Sequence, residues 1–469
     1  AGAAAPFPFP TMSQRSFQIR PLPPAHPPAR HRHFWLEFAV ICFIAGTPIL
    51  QAEPAPSTNA AVRLDILFIE RLSESMRTNH PALKAARHRT TAASEDVRAV
   101  PQWADPAFKV GGSMSSARGG NPAEDGDLVY GLEQQLPVFG KERAARRLAE
   151  AEASLETERA SLQFQLQRRD LSKALFELAL QDRRIALGQE DLTWLEAQLK
   201  VAEARLLAGT GSQLETLRLQ SERAMRTNLL GTEIRRGTEA RATVNQLLGR
   251  SPESSFPLLT LPDIAQPIVV TPDLIRFATN TEPRLLVASR ELRAAEARVE
   301  SARKARLPDL AVGVEGRQFH GDAGFREGLF TVGFNLPWFN GKRYRAALTR
   351  EKERQSALQL DRTSLELEVV TEIHQRIARI ESARSEAWVL REDILPRAQQ
   401  SVALTLAGWT SSRMEFREMM EARRLSVEGE AALARAIAMQ WIEMSDLVLC
   451  CGLSDLEMLQ ELGAPGNRP

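Results

Sequence analysis

Two hydrophobic patterns alternate along this chain, and the alternation occurs twice. Phe108, Val110, Gly112 and Met114 fall on one side of a period of two while Lys109, Gly111, Ser113 and Ser115 fall on the other. Leu128, Tyr130, Leu132 and Leu136 likewise oppose Val129, Gly131, Glu133 and Gln135. Later, Leu310, Val312, Val314 and Gly316 oppose Ala311, Gly313, Glu315 and Arg317, and Phe330, Val332, Phe334 and Leu336 oppose Leu329, Thr331, Gly333 and Asn335. Alternation of this kind predicts strands with one apolar face and one polar, glycine-containing face. Two hairpins follow, with strands at about 107–117 and 127–136, and at about 309–319 and 328–336.

After each hairpin the period changes. From Lys141 to Leu206 and from Lys342 to Leu406 the apolar residues recur at three- and four-residue steps. The first run reads Leu171, Leu175, Leu178, Ile185, Leu192, Leu195, Leu199, Ala202, Leu206; the second reads Val370, Ile373, Ile377, Ile380, Ala387, Ile394. Pro396 is the only proline in either stretch. Each stretch predicts a helix about 100 Å long at 1.5 Å per residue, with a seam too narrow for a globular core and suited to packing along other helices. Return helices follow, giving antiparallel helical hairpins over 141–248 and 342–450. Gly209 and Gly408 stand where a helix C-cap glycine is expected, and Ser212 and Ser411 where the next helix needs an N-cap.

The same words mark the same places in both halves. LPVFGKERAARRLAEAEASL at Leu136 is answered by LPWFNGKRYRAALTREKERQSAL at Leu336, and NHPALKAAR at Asn79 by TEPRLLVASR at Thr281. The chain is a duplicated unit: a first repeat over 53–250, a Pro- and Ser-rich connector over 251–282, a second repeat over 283–452 and a tail over 453–469.

Strands of about ten residues have the length to cross a bilayer when tilted. Four are too few to close a barrel, and an open sheet in lipid leaves backbone groups unpaired. Either several chains pool their strands, or the sheet is soluble and packs on a helix. The long seams favour pooling, since each must be covered by neighbours of equal length.

Composition adds mainly exclusions. Lys plus Arg number 60 against 59 acidic residues, so charge makes no case for nucleic acid. Basic residues Arg30–His33 precede FWLEFAVICFIAG and a small-residue site at Ala52, the order of an N-terminal extension and signal peptide over 1–52. His80, His88, His320 and His374 are scattered without metal-ligand spacing, and adjacent Cys450 and Cys451 read as buried small apolar residues. There is no catalytic signature, cofactor motif or metal site; the expectation is a protein that is not an enzyme and needs no cofactor.

The order of signal peptide, helix, β-hairpin, Leu-Pro-aromatic turn, long helix, AGxxS-like turn and return helix, given twice, resembles the TolC-like outer-membrane efflux proteins over about Glu53–Gly452. NHPALKAAR, the LPVFGK start and LLGR at Leu247 most resemble the subgroup serving heavy-metal resistance-nodulation-division pumps, of the CzcC and CusC kind. The resemblance implies a mainly α protein with membrane β. Three chains would pool four strands each into a twelve-stranded barrel in the outer membrane, above a periplasmic tube of helices. It implies a homotrimer, outer-membrane lipid, a periplasmic adaptor (membrane fusion protein) and an inner-membrane pump as partners, and passive efflux, with metal cations as one cargo. Drug efflux and type I protein secretion use the same fold. A soluble periplasmic adaptor or coiled-coil scaffold is the alternative outside the family. The resemblance also implies adaptor docking at the tips, around Gly209, Ser212, Gly408 and Ser411. It implies acidic gate residues just after the second tip, where MMEA at Met419 offers Glu421 and, one turn back, Glu418. Solvated neighbours of Arg417 and Arg424 on a helix face are the plainer account of these two carboxylates.

Overall fold

A computed structural model of the chain describes residues 61–113, 127–319 and 324–453. All of them fall in one unit, Pro56–Pro469. The proposed signal peptide, the tail beyond Leu453 and the far end of the first predicted strand lie outside the described residues.

In chain order the first repeat comprises β1 (Val62–Arg63), α1 (Ile66–Asn79), α2 (Pro81–Ala99), β2 (Ala107–Ser113), β3 (Asp127–Leu136), α3 (Lys141–Leu207) and α4 (Gln213–Leu247). The connector contributes β4 (Leu259–Thr260) and α5 (Pro272–Thr281). The second repeat comprises α6 (Pro283–Lys304), β5 (Leu310–Phe319), β6 (Phe325–Phe334), α7 (Gly341–Val389), a π-helical segment Leu390–Ile394, α8 (Leu395–Thr410) and α9 (Phe416–Cys451).

The repeated His-Pro and Glu-Pro words are helix starts. His80 Nδ1 accepts from the Ala82 N–H at 3.2 Å and Glu282 accepts from the Leu285 N–H at 2.7 Å, with Pro81 and Pro283 in the first turn, where a missing N–H costs nothing. Burial raises the Glu282 carboxyl above its usual range against the pull of Arg284, its ion-pair partner at 2.6 Å.

α3 runs 67 residues without a break. Its counterpart is interrupted. The expected second helix over 342–406 widens into the π turn at Leu390–Ile394 immediately before Pro396 and then continues to Thr410. Proline has no N–H for the helical ladder and its ring crowds the preceding turn, so a widened turn accommodates it. On this helix the seam buries Val369 rather than the expected Val370, together with Ile373, Ile377 and Ile380.

α3 lies between α4 and α9, with α8 on the far side of α9; towards the sheet, α2, α3, α6 and α7 are neighbours in that order. Midway, α1, α5, β1 and the connector close over the helices. Leu64, Ile69, Leu259 and Ile268 join Leu171, Leu175, Phe176, Ile373 and Trp441 in one core, in which Phe176 stacks on Trp441 at 5.7 Å. β1 pairs in parallel with β4, tying the start of the described chain to the connector. Beneath this core Asp446 is nearly buried among Lys173 (3.1 Å), Arg376 (2.9 Å) and Arg169 (3.7 Å).

The sheet order is β2-β3-β5-β6, antiparallel throughout, with the two repeats joined along β3 and β5. β6 begins three residues earlier than the expected 328 and ends two before 336. Arg317 pairs with Glu327 and Gln318 with Phe325, extending the ladder beyond Gly328, whereas Asn335 turns its side chain onto Asp309 (2.6 and 2.7 Å). Among the described residues β2 and β6 are open edges.

Candidate functional site

Register sorts the sheet into two chemistries. Phe108, Leu132, Val314 and Phe330 stand abreast on one face, as do Leu310, Phe334 and Leu136. Phe108 is 69% exposed and Phe330 68%, so this apolar band has no cover within the chain. On the other face Lys109 pairs with Glu133, and Arg317 with Glu327 at 3.0 Å, beside Glu315 and Thr331. Glycines hold that face close. A Cβ on Gly131 would come within 2.7 Å of Glu315 Cγ, and one on Gly313 within 2.5 Å of Thr331 Oγ1. No described helix is long and apolar enough to cross a membrane. The strands have the alternation that spanning β requires, one face for lipid and one for water.

At the opposite end lie the two helical tips. After α3, Gly209 takes the left-handed conformation (φ 74°); its N–H donates to Leu206 O and the Thr210 N–H to Arg205 O, a Schellman closure. Ser212 then caps α4, accepting from the Leu214 N–H at 3.2 Å.

The second tip departs from the expected one. Gly408 is not its C-cap and Ser411 is not the N-cap of the following helix. α8 runs through Gly408 to Thr410 with Ser411 as its C-cap, and the left-handed residue is Ser412 (φ 57°), whose N–H donates to Trp409 O while that of Arg413 donates to Gly408 O. The closure is the same, one helical turn later than the matching Ala-Gly word. Ser411 Oγ donates back to Ala407 O, and Glu415 precedes α9 without a side-chain cap. Burial of Trp409 explains the extension. It is 1% exposed, edge-on to Phe416 at 6.1 Å, in a small core with Leu195, Leu199, Leu219 and Met419. Ending the helix at Gly408 would withdraw it. Gly408 serves packing instead, because a Cβ there would meet Met414 Sδ at 2.5 Å.

Arg205 joins the tips. It donates to Trp409 O at 2.9 Å and to Ser412 Oγ at 3.0 Å, with its guanidinium 4.8 Å above the Trp409 ring. Sequence reasoning missed this clasp, and the only local signal was an arginine just before the first tip. Glu418 and Glu421 are exposed on α9, whose Phe416, Met419 and Ala422 face inward. Neither carboxylate closes an ion pair among the described residues; Arg424 pairs with Glu428 at 2.8 Å. Glu421 lines a groove between α4 and α9 together with Leu217, Arg218, Arg226, Met420 and Arg424. Among the described residues no group of His, Cys, Asp or Glu has metal-holding geometry.

The sequence pattern of the family described as "Outer membrane efflux protein" matches residues 72–250 and 274–439, one stretch in each repeat. The chain belongs to this family. Its members are passive channels of efflux systems rather than enzymes, and so is this outer membrane efflux protein. It is 25% identical over 332 residues to the outer membrane efflux protein BepC of Brucella suis, spanning 68% of each chain. Its fold is similar to that of CusC (TM-score 0.73, 17% identity, 85% of this chain and 96% of that one). It is similar also to VceC of Vibrio cholerae (TM-score 0.69, 17% identity, 82% and 96%). The duplicated strands and helical hairpins are thus the wall of a channel, a tube of helices carrying a β part.

Proposed function

We propose that three copies of this efflux protein close into one outer-membrane exit duct with a large periplasmic part, passively conducting what a periplasmic adaptor and an inner-membrane pump of the resistance-nodulation-division type deliver. The observation that carries this reading is the open sheet: among the described residues it has two unpaired edges, one uncovered apolar face and one polar face in the same four strands. Lipid accepts such a sheet only if further copies close it. The tips, with Gly209, Ser212, Gly408 and Ser411, are the ends an adaptor meets. Glu418 and Glu421, on the free face of α9, form the gate, repeated around the bore as a negative ring suited to cations, metal ions among them.

The test is the mass of the detergent-extracted outer-membrane fraction, with single-channel conductance on the same sample. A conducting trimer is expected; a non-conducting monomer or dimer that stays soluble would replace the duct with a periplasmic scaffold. Within a conducting trimer, Glu418→Ala with Glu421→Ala should lower cation-over-anion selectivity, and unchanged selectivity removes the gate assignment.

A further inference from the structure

The Leu-Pro-aromatic turns, present in both repeats, are not used by conduction or gating. They lie at one level. Leu136, Leu310 and Phe334 are abreast at the end of the sheet, and Asp309 holds Lys141 of one turn at 2.5 Å and Asn335 of the other at 2.7 Å. At this level Phe339 is 80% exposed, Trp338 60%, Trp103 57% and Val138 54%. Trp103 precedes edge strand β2 and Trp338 follows edge strand β6, so the aromatics flank both open edges. Side chains this large and this bare continue the apolar band of the strands, and aromatic rings suit the boundary between hydrocarbon and water.

Immediately beyond them each helix opens with cations. Arg143 and Arg147 on α3 and Lys342 and Arg343 on α7 are exposed and close no ion pair among the described residues. The first ten residues of α7, GKRYRAALTR, contain no acidic residue. Arg143, Lys342 and Arg343 lie in the first turn of their helices, where positive charge opposes the helix dipole, so these three are not there to stabilise their own helices. A negative surface beside them supplies what the chain does not.

We propose that the two turns form a collar that binds anionic phospholipid headgroups of the periplasmic leaflet, with Trp103, Trp338 and Phe339 at the hydrocarbon boundary and Arg143, Arg147, Lys342 and Arg343 on the phosphates. The collar sets the depth of the duct in the membrane and selects anionic over zwitterionic lipid. The inference rests on the outer-membrane duct proposed above.

The full-length protein, extracted in mild detergent and offered equal amounts of phosphatidylglycerol and phosphatidylcholine, is examined by native mass spectrometry for the lipids it retains. Wild type should retain phosphatidylglycerol about tenfold over phosphatidylcholine, the effect expected of one to two cations at an anionic surface. The variant R143Q/R147Q/K342Q/R343Q should bring the ratio near one at unchanged oligomeric mass, whereas K200Q/R218Q/R413Q/R417Q, which removes four exposed cations near the tips, should leave it intact. Equal retention by wild type, or an undiminished preference in the collar variant, overturns the proposal. So does a collar variant that changes the ion selectivity of the channel while keeping its lipid preference, because its cations then line the bore. A chain that inserts into vesicles of neither lipid overturns the duct and the collar together, while insertion without preference overturns the collar alone.

Discussion

α4 and α9 are the same element in two copies of one unit, of 35 and 36 residues, and they have opposite surroundings. α9 is bounded by α3 on one side and by α7 and α8 on the other, and its last two turns are buried almost all round. α4 packs principally against α3 and buries only Thr216, Leu219, Gly237, Val244 and Asn245. Leu214, Leu217, Met225, Leu229 and Ile234 remain exposed along it. Duplication therefore supplied two equal helices, and position in the layer made one a centre and the other an edge. The edge carries the apolar residues that a neighbouring copy would cover, whereas the centre carries carboxylates that only ion pairs make tolerable.

The largest effect is expected at α9. Asp446→Ala removes the nearly buried carboxylate that Arg169, Lys173 and Arg376 share; Arg376 keeps Glu443 at 2.6 Å and the cations are partly exposed, so the cost falls at or below the low end of the about 3–5 kcal/mol of a fully buried pair. Thermal unfolding of the detergent-solubilised protein should fall markedly. A shift no larger than that of a surface variant would mean that water already screens the cluster.

On α4 the expected effect is on assembly rather than folding. Leu229→Glu with Ile234→Glu should leave helix content unchanged while the oligomer dissociates, read by light scattering in detergent. An intact oligomer would show that this edge faces solvent. The tips give smaller and opposite effects. Gly209→Ala forces a side chain into the left-handed conformation at about 1–2 kcal/mol, and Ser412→Gly relieves the same constraint at the second tip. Hydrogen exchange at the two tips should separate these variants; equal protection would remove the distinction between the turns. Smallest is the reactivity of the end of α9. Burial pushes the Cys451 thiol up to about 12 and raises Cys450 as well, so alkylation at neutral pH should be slow in the folded protein and fast once it unfolds. Fast labelling of the folded protein would show that the end of α9 opens.

Much of the fold was legible because its signals are periodic and occur twice. The alternation in Tyr130-Gly131-Leu132 and the seam of Leu171, Leu175 and Leu178 each report a face, and a face is a local property of backbone geometry. The second tip was misread for the converse reason. Ala407-Gly408 matches Ala208-Gly209 as text, but helix length there is set by where Trp409 finds its core with Leu195 and Leu219, residues of the other repeat. The Arg205 clasp was illegible on the same grounds, since its acceptors, Trp409 O and Ser412 Oγ, become neighbours only when both hairpins are side by side.

By itself the sequence determined the duplicated unit, the strand faces, the unbroken first long helix and the helix starts at Pro81 and Pro283, because each follows from spacing along one element. Tertiary structure decided which return helix became the edge, where the second tip turned, and which carboxylates were buried with arginines. Those outcomes depend on contacts between distant segments, where packing and charge pairing outweigh the preference of any short word.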